Sequence, residues 1–89
     1  MNLFYELIRD DAGKMIKHER RAWGMSRRRL AKLSFTDPET IESIEKGYVC
    51  MMDFNMLMNI SKALQVDPFM FFNKDLTEDK IIKLILGED

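Results

Sequence analysis

Apolar residues recur at spacings of three and four almost from end to end of the chain, and period-two runs of Val and Ile are absent, so the pattern predicts helices throughout. Leu3, Phe4, Leu7 and Ile8 form one stripe, which Ala12, Met15, Ile16 and Trp23 extend. Gly13 weakens the join, so a short N-terminal helix leads into a longer one. Gly24 ends that helix, because glycine accepts the left-handed position that follows one. Ser26 is placed to cap the next, with Leu30, Ala31 and Leu33 facing inward. After the turn Ser34-Phe35-Thr36, Asp37-Pro38-Glu39 opens another helix. Asp accepts the free N–H groups, Pro fits the first turn, and Glu suits the positive end of the dipole. Ile41 and Ile44 face inward and Gly47 ends it. Asp53 then caps a helix with Phe54, Leu57, Ile60, Ala63 and Leu64 on one face. Val66-Asp67-Pro68 breaks the run and opens a short aromatic helix with Phe69, Phe71 and Phe72. Thr77 caps a last helix, in which Ile81, Ile82, Leu84, Ile85 and Leu86 leave few polar positions.

The pattern amounts to an all-α fold of five to six helices. The 89 residues contain no linker, repeat or low-complexity tract, so they read as one domain, 1–89. Nearly half the residues are apolar, but a core of this size is marginal alone, and oligomerisation would relieve that. The net charge is only −1, yet the charges are unevenly placed. Between Ala12 and Lys32 stand eight basic residues (Lys14, Lys17, Arg20, Arg21, Arg27, Arg28, Arg29 and Lys32) and one acid, Glu19. Such a block is either a solvated helix face or a surface that meets anions.

Other chemistry is thinly represented. The single cysteine, Cys50, rules out an internal disulfide, fits a reducing cytoplasm, and is expected buried or half-buried rather than reactive. His18 is the only histidine and has no cysteine pair near it, so no metal site is expected. No cofactor is implied: a Gly-rich phosphate loop is missing, and no nucleophile has a base spaced near it, so no enzyme activity is expected. The start, MNLFYELIRDD, lacks the basic and apolar regions of a signal peptide. No stretch approaches the roughly 20 apolar residues of a membrane span.

The order of the central elements carries a resemblance. A basic helix ends in W-G-M-S; R-R-R-L-A-K-L, a turn and P-E-T-I-E-S-I-E-K-G come next; I-S-K-A-L-Q-V-D follows. This resembles the Cro/repressor-type helix-turn-helix family (the xenobiotic-response-element type) of bacterial and phage regulators. The similarity covers residues 13–72, leaving an N-terminal extension, 1–12, and a C-terminal helix, 73–89. It rests on Arg20, Ser26, Leu30-Ala31, Ile41, Ile44-Glu45, Gly47 and Ala63-Leu64-x-Val66. It implies a lambda-repressor-like domain in which the helix around 38–46 enters the major groove of double-stranded DNA and the preceding helix crosses the phosphate backbone. Phosphate contacts would then fall to Lys17, Arg27, Arg28, Lys32, Lys46 and Tyr48, and base contacts to Glu39, Thr40, Ser43 and Lys46. The resemblance also implies a structural salt bridge between Arg20 and Glu45. At about 100° per residue, Glu39, Glu42, Ser43 and Lys46 lie opposite Ile41 and Ile44.

Three features depart from the family pattern. The turn carries Phe35 where a small residue or glycine is usual, so Phe35 must avoid a left-handed backbone or bear strain. Glu39 and Glu42 stand where Gln, Ser, Arg or Lys are usual. Glu39 either complements the helix dipole or accepts from cytosine N4. The loop Tyr48-Val49-Cys50-Met51-Met52 offers one phenol and otherwise apolar side chains, either folded over the core or presented to a protein partner. The expected function is a sequence-specific DNA-binding transcriptional regulator, a homodimeric repressor. The alternative is a helix-turn-helix scaffold reused for protein binding, as in an antirepressor or an antitoxin-like protein. The apolar excess at both chain ends places the dimer interface at Leu3, Phe4, Leu7, Ile82, Ile85 and Leu86, unless the terminal helices cover one another within one chain.

Overall fold

The computed structural model describes residues 7–73 together with residues 82, 83, 86 and 87. Within them the chain forms four α-helices: α1 (Ala12–Ala22), α2 (Arg27–Leu33), α3 (Pro38–Glu45) and α4 (Phe54–Leu64). Two 3-10 turns, Val49–Met51 and Pro68–Phe71, follow α3 and α4. The fold is therefore all-α over this span, but five to six helices are not found among the described residues. The aromatic segment explains one of the missing helices. Asp67 accepts from the Phe69 N–H at 2.9 Å and Pro68 starts a turn, but Phe72 then turns extended (φ −91°, ψ 160°). Phe72 pairs antiparallel with Ile8, through Arg9 N–H to Phe71 O and Asn73 N–H to Leu7 O, both 2.9 Å. That bridge ties the segment before α1 to the segment after α4.

Three of the four helix starts have a side-chain cap. The Ser26 hydroxyl accepts from Arg29 N–H at 3.0 Å, and the Asp37 and Asp53 carboxylates accept from Thr40 and Met56 N–H at 2.8 Å. Such a cap contributes about 1 kcal/mol. At α1 the flanking Asp11 makes no cap bond, because its carboxylate is held by the Arg9 guanidinium at 2.9 and 3.0 Å.

All four helices end the same way. The chain turns left-handed at Gly24, Phe35, Gly47 and Gln65, with φ of 67°, 60°, 112° and 57°. The next residue's N–H reaches back five positions, from Met25 to Arg20, Thr36 to Ala31, Tyr48 to Ser43 and Val66 to Ser61, at 2.9–3.0 Å. This closure satisfies carbonyls the helix leaves open and normally selects glycine. Two ends use glycine and two do not. Phe35 thus takes the strained backbone, at about 1–2 kcal/mol for a residue with a Cβ.

The core gathers Ile16 from α1, Leu30 and Ala31 from α2, Ile41 and Ile44 from α3, and Leu57, Ile60 and Leu64 from α4, sealed by Met52 and Phe71. Gly13 lies inside α1 rather than at a weak join. A Cβ there would sit 1.9 Å from the Ile44 carbonyl oxygen, so glycine is what lets the start of α1 lie against the end of α3. Two residues expected inside are not. Leu33 is partly exposed at the end of α2, and Trp23 stands just past α1, half exposed. The Trp23 indole N–H donates to Leu64 O at 2.8 Å, which fastens the end of α1 to the end of α4. The predicted helix starting at Thr77, and the stripe residues Leu3 and Phe4, lie outside the described residues.

Candidate functional site

The helices α2 and α3 pack on one another through Leu30, Ile41 and Ile44, all fully buried, and α3 packs in turn on α1. One carboxylate sits at the junction of all three. Arg20 of α1 grips Glu45 of α3 with two bonds, Nε to Oε2 at 2.7 Å and Nη2 to Oε1 at 3.0 Å. Its remaining Nη1 donates to Met25 O at 2.7 Å, in the link between α1 and α2. Arg27, the first residue of α2, donates from Nε to Oε1 of the same Glu45 at 3.0 Å. Burial raises the Glu45 pKa, but hydrogen bonds from Arg20 and Arg27 outweigh it and hold the carboxyl below its ordinary value. The pairing of Arg20 with Glu45 is therefore present, and buried: the side chains are 9% and 1% exposed.

Arg27 is a different matter. Read from sequence, it belongs with the phosphate contacts. Its Nε is committed to Glu45, and its side chain is only about a third exposed, at 35%. It serves the junction, and only its outer nitrogens remain for another partner. Arg28, Arg29 and Lys32 are exposed and make no ion pair among the described residues. Lys17 is half-buried on α1, and Tyr48 is exposed beyond α3.

The outer face of α3 shows Glu39 exposed, with Thr40, Glu42 and Ser43 half-buried and Lys46 exposed at the end. Lys46 Nζ is 2.8 Å from Glu42 Oε1, one turn away. That bond lowers the Glu42 pKa, with Lys46 and Arg27 adding attraction. With Lys46 neutralised by Glu42, Glu39 leaves the face one charge negative. The sequence showed every charge in this region but not how they pair. An (i, i+4) Glu–Lys spacing on a helix was the available signal for the second pair.

The loop after α3 divides. Val49 and Met52 fold over the core, while Met51 and Cys50 are exposed. Cys50 is thus not buried as expected, because the 3-10 turn carries Cys50 and Met51 outward between the buried Val49 and Met52. Of the interface residues expected at the chain ends, Leu7 is turned into the chain's own core, 7% exposed, by the bridge beside it. Ile82 and Leu86 are exposed. Leu3, Phe4 and Ile85 lie outside the described residues. Among the described residues no three His, Cys, Asp or Glu side chains gather where they could share a metal ion, and no helix is long and apolar enough to cross a membrane.

No protein-family model and no curated protein matches this chain. Solved structures do show a similar fold. Apo-HppE superposes with a TM-score of 0.67 at 20% identity, over 80% of this chain and 39% of that one. Hydroxypropylphosphonic acid epoxidase from S. wedmorenis in complex with fosfomycin gives 0.66 at 20%, over 80% and 38%. FeII HppE gives 0.64 at 22%, over 72% and 34%. The chain spans between a third and two fifths of the length of those structures, and the likeness is one of fold.

Proposed function

We propose that the protein is a sequence-specific DNA-binding transcriptional regulator of the helix-turn-helix type, acting as a homodimeric repressor. The observation that carries the reading is the pair α2–α3. Two short helices, each with its own side-chain cap, pack through Leu30, Ile41 and Ile44 and leave the outer side of α3 open. In this reading α3 enters the major groove and α2 lies across the backbone, with Arg28 and Lys32 on phosphates. Arg29 is an additional candidate that sequence reasoning left out. Glu39, Thr40 and Ser43 face the bases, and Lys46 does so only by leaving Glu42. Selection of bound sequences from a random DNA pool tests the proposal directly. A recurring half-site should emerge. Replacing Arg28 and Lys32 by Ala should reduce the salt dependence of binding by about two charges. A protein that shows neither enrichment nor salt-dependent retention on DNA is not a DNA-binding regulator.

A second reading has its own observation. The α3 face is net negative once Glu42 holds Lys46, and the neighbouring Tyr48, Cys50 and Met51 are exposed. A helix-turn-helix scaffold of that character suits a basic protein partner, as an antirepressor or antitoxin-like protein would. Absence of DNA retention together with capture on a basic partner would favour it.

A further inference from the structure

Glu39 stands apart on the outer face of α3. It is exposed and makes no ion pair among the described residues. The other charges of that face are spent on one another, with Lys46 Nζ 2.8 Å from Glu42 Oε1. Thr40 and Ser43 are half-buried. Nor does the start of the helix call for the Glu39 carboxylate. Asp37 already accepts from the Thr40 N–H at 2.8 Å, and Pro38 has no N–H to satisfy. Hydrogen bonds from Thr40 are the main reason the Asp37 carboxyl lies below its ordinary value, so Asp37 is charged and committed to the cap. Glu39 thus has a like charge for a neighbour and no counter-ion in an ion pair.

Resting on the reading of α3 as the helix that enters the major groove, we infer that Glu39 fixes one C·G pair in each half-site, its carboxylate accepting from cytosine N4. The selection follows from what a carboxylate can do. When ionised it accepts hydrogen bonds and donates none. Guanine shows the major groove two acceptors, N7 and O6, and thymine shows an acceptor and a methyl group, so neither offers it a donor. Adenine sets its N7 acceptor beside the N6 donor, and that acceptor opposes the second carboxylate oxygen. Cytosine shows a donor alone. Position favours the contact. The N-terminal residues of a recognition helix are the ones that meet base edges, and Glu39 is the second residue of α3. Phosphates repel the same charge on every sequence, so Glu39 lowers affinity for DNA in general and regains it only over cytosine. Arg28, Arg29 and Lys32 are exposed on α2 and make no ion pair among the described residues, and they supply the opposing attraction.

The test uses the full chain and duplexes selected by it from a random pool, then varied at each position and measured at one fixed salt concentration. The parent motif should contain a C·G position at which any other pair weakens binding roughly 5- to 150-fold. Glu39→Gln keeps the shape, removes the charge and adds a donor. It should move the preference at that one position from cytosine to adenine, whose N6 and N7 match an amide, and leave the rest of the motif unchanged. Glu39→Ala should level the four bases there. Both variants alter an exposed side chain, so both should keep the circular dichroism spectrum of the parent. Variants with the parent's preference at every position overturn the inference. So do variants that bind all duplexes more tightly by one common factor, since Glu39 would then only repel phosphates. A parent that enriches no motif overturns the DNA-binding reading itself, and this inference with it, so the two failures are distinct.

Discussion

Removing the Glu45 carboxylate should cost more stability than any other single charge change in the described structure. In Glu45→Ala the Arg20 guanidinium, 9% exposed, keeps only its bond to Met25 O. Breaking a fully buried ion pair from one side costs about 3–5 kcal/mol. Arg27, at 35% exposure, can turn to water, so its share is about 1 kcal/mol or less. A domain of this length has only about 4–13 kcal/mol to lose. At roughly 4–8 °C per kcal/mol, the Glu45→Ala midpoint should fall by about 12–40 °C. Arg20→Ala should cost less, about 2–3 kcal/mol, because Arg27 remains to compensate Glu45. Circular dichroism melts and urea titrations of the parent, both single variants and the double variant close a thermodynamic cycle. The coupling between Arg20 and Glu45 should exceed about 1 kcal/mol. If the single losses add to within about 0.5 kcal/mol, the two side chains act independently and the junction described here is not what holds α1 to α3.

The same carboxylate sets a pH dependence. Its folded pKa lies below the ordinary 4.5, so its contribution is complete above about pH 4.5 and is lost as pH falls through the folded value. Urea midpoints should therefore drop steeply below that pH in the parent and more gently in Glu45→Gln; equal slopes would rule the residue out. Gly13→Ala should destabilise by about 1–3 kcal/mol despite the better helix propensity of alanine, because the added methyl meets backbone of α3. A gain in melting temperature would mean that α1 and α3 separate easily. Ser61→Ala should be neutral or stabilising by up to about 1 kcal/mol, since the buried Ser61 hydroxyl has no hydrogen-bond partner among the described residues. A clear loss in chemical denaturation would show that the hydroxyl is satisfied.

Helix starts were readable because their cause is local. Ser26, Asp37 and Asp53 each serve a backbone N–H within three residues, so composition at one position decides the outcome. The helix ends at Gly24 and Gly47 were readable for the same reason, while those at Phe35 and Gln65 carry no glycine to mark them. Gly13 looked like a weak point because its value lies 31 residues away, at the Ile44 carbonyl, and no periodicity reports a close approach between backbones. The aromatic segment near Phe71 has the same character. Its extended exit is imposed by pairing with Ile8, at the other end of the described core, so helical spacing alone misjudged it.

The candidate site divides along a different line, between charges committed inside the fold and charges left for a partner. Arg27, Arg28 and Arg29 are indistinguishable as residue types and consecutive in the chain. Helical geometry turns them about 100° apart, so one points back toward Glu45 while its neighbours face water. Which one points back depends on where α3 ends, and that depends on how α2 crosses it. The distinction has a measurable consequence. Arg27→Ala should lower stability while Arg28→Ala leaves it within about 0.5 kcal/mol, as ordinary surface substitutions do. In a DNA-binding assay the order should reverse at matched folded fractions, with Arg28→Ala losing more of the salt-dependent binding than Arg27→Ala. Equal stability losses at the two positions would place both arginines in the junction. Equal losses in salt dependence would mean that Arg27 reaches phosphate while still holding Glu45.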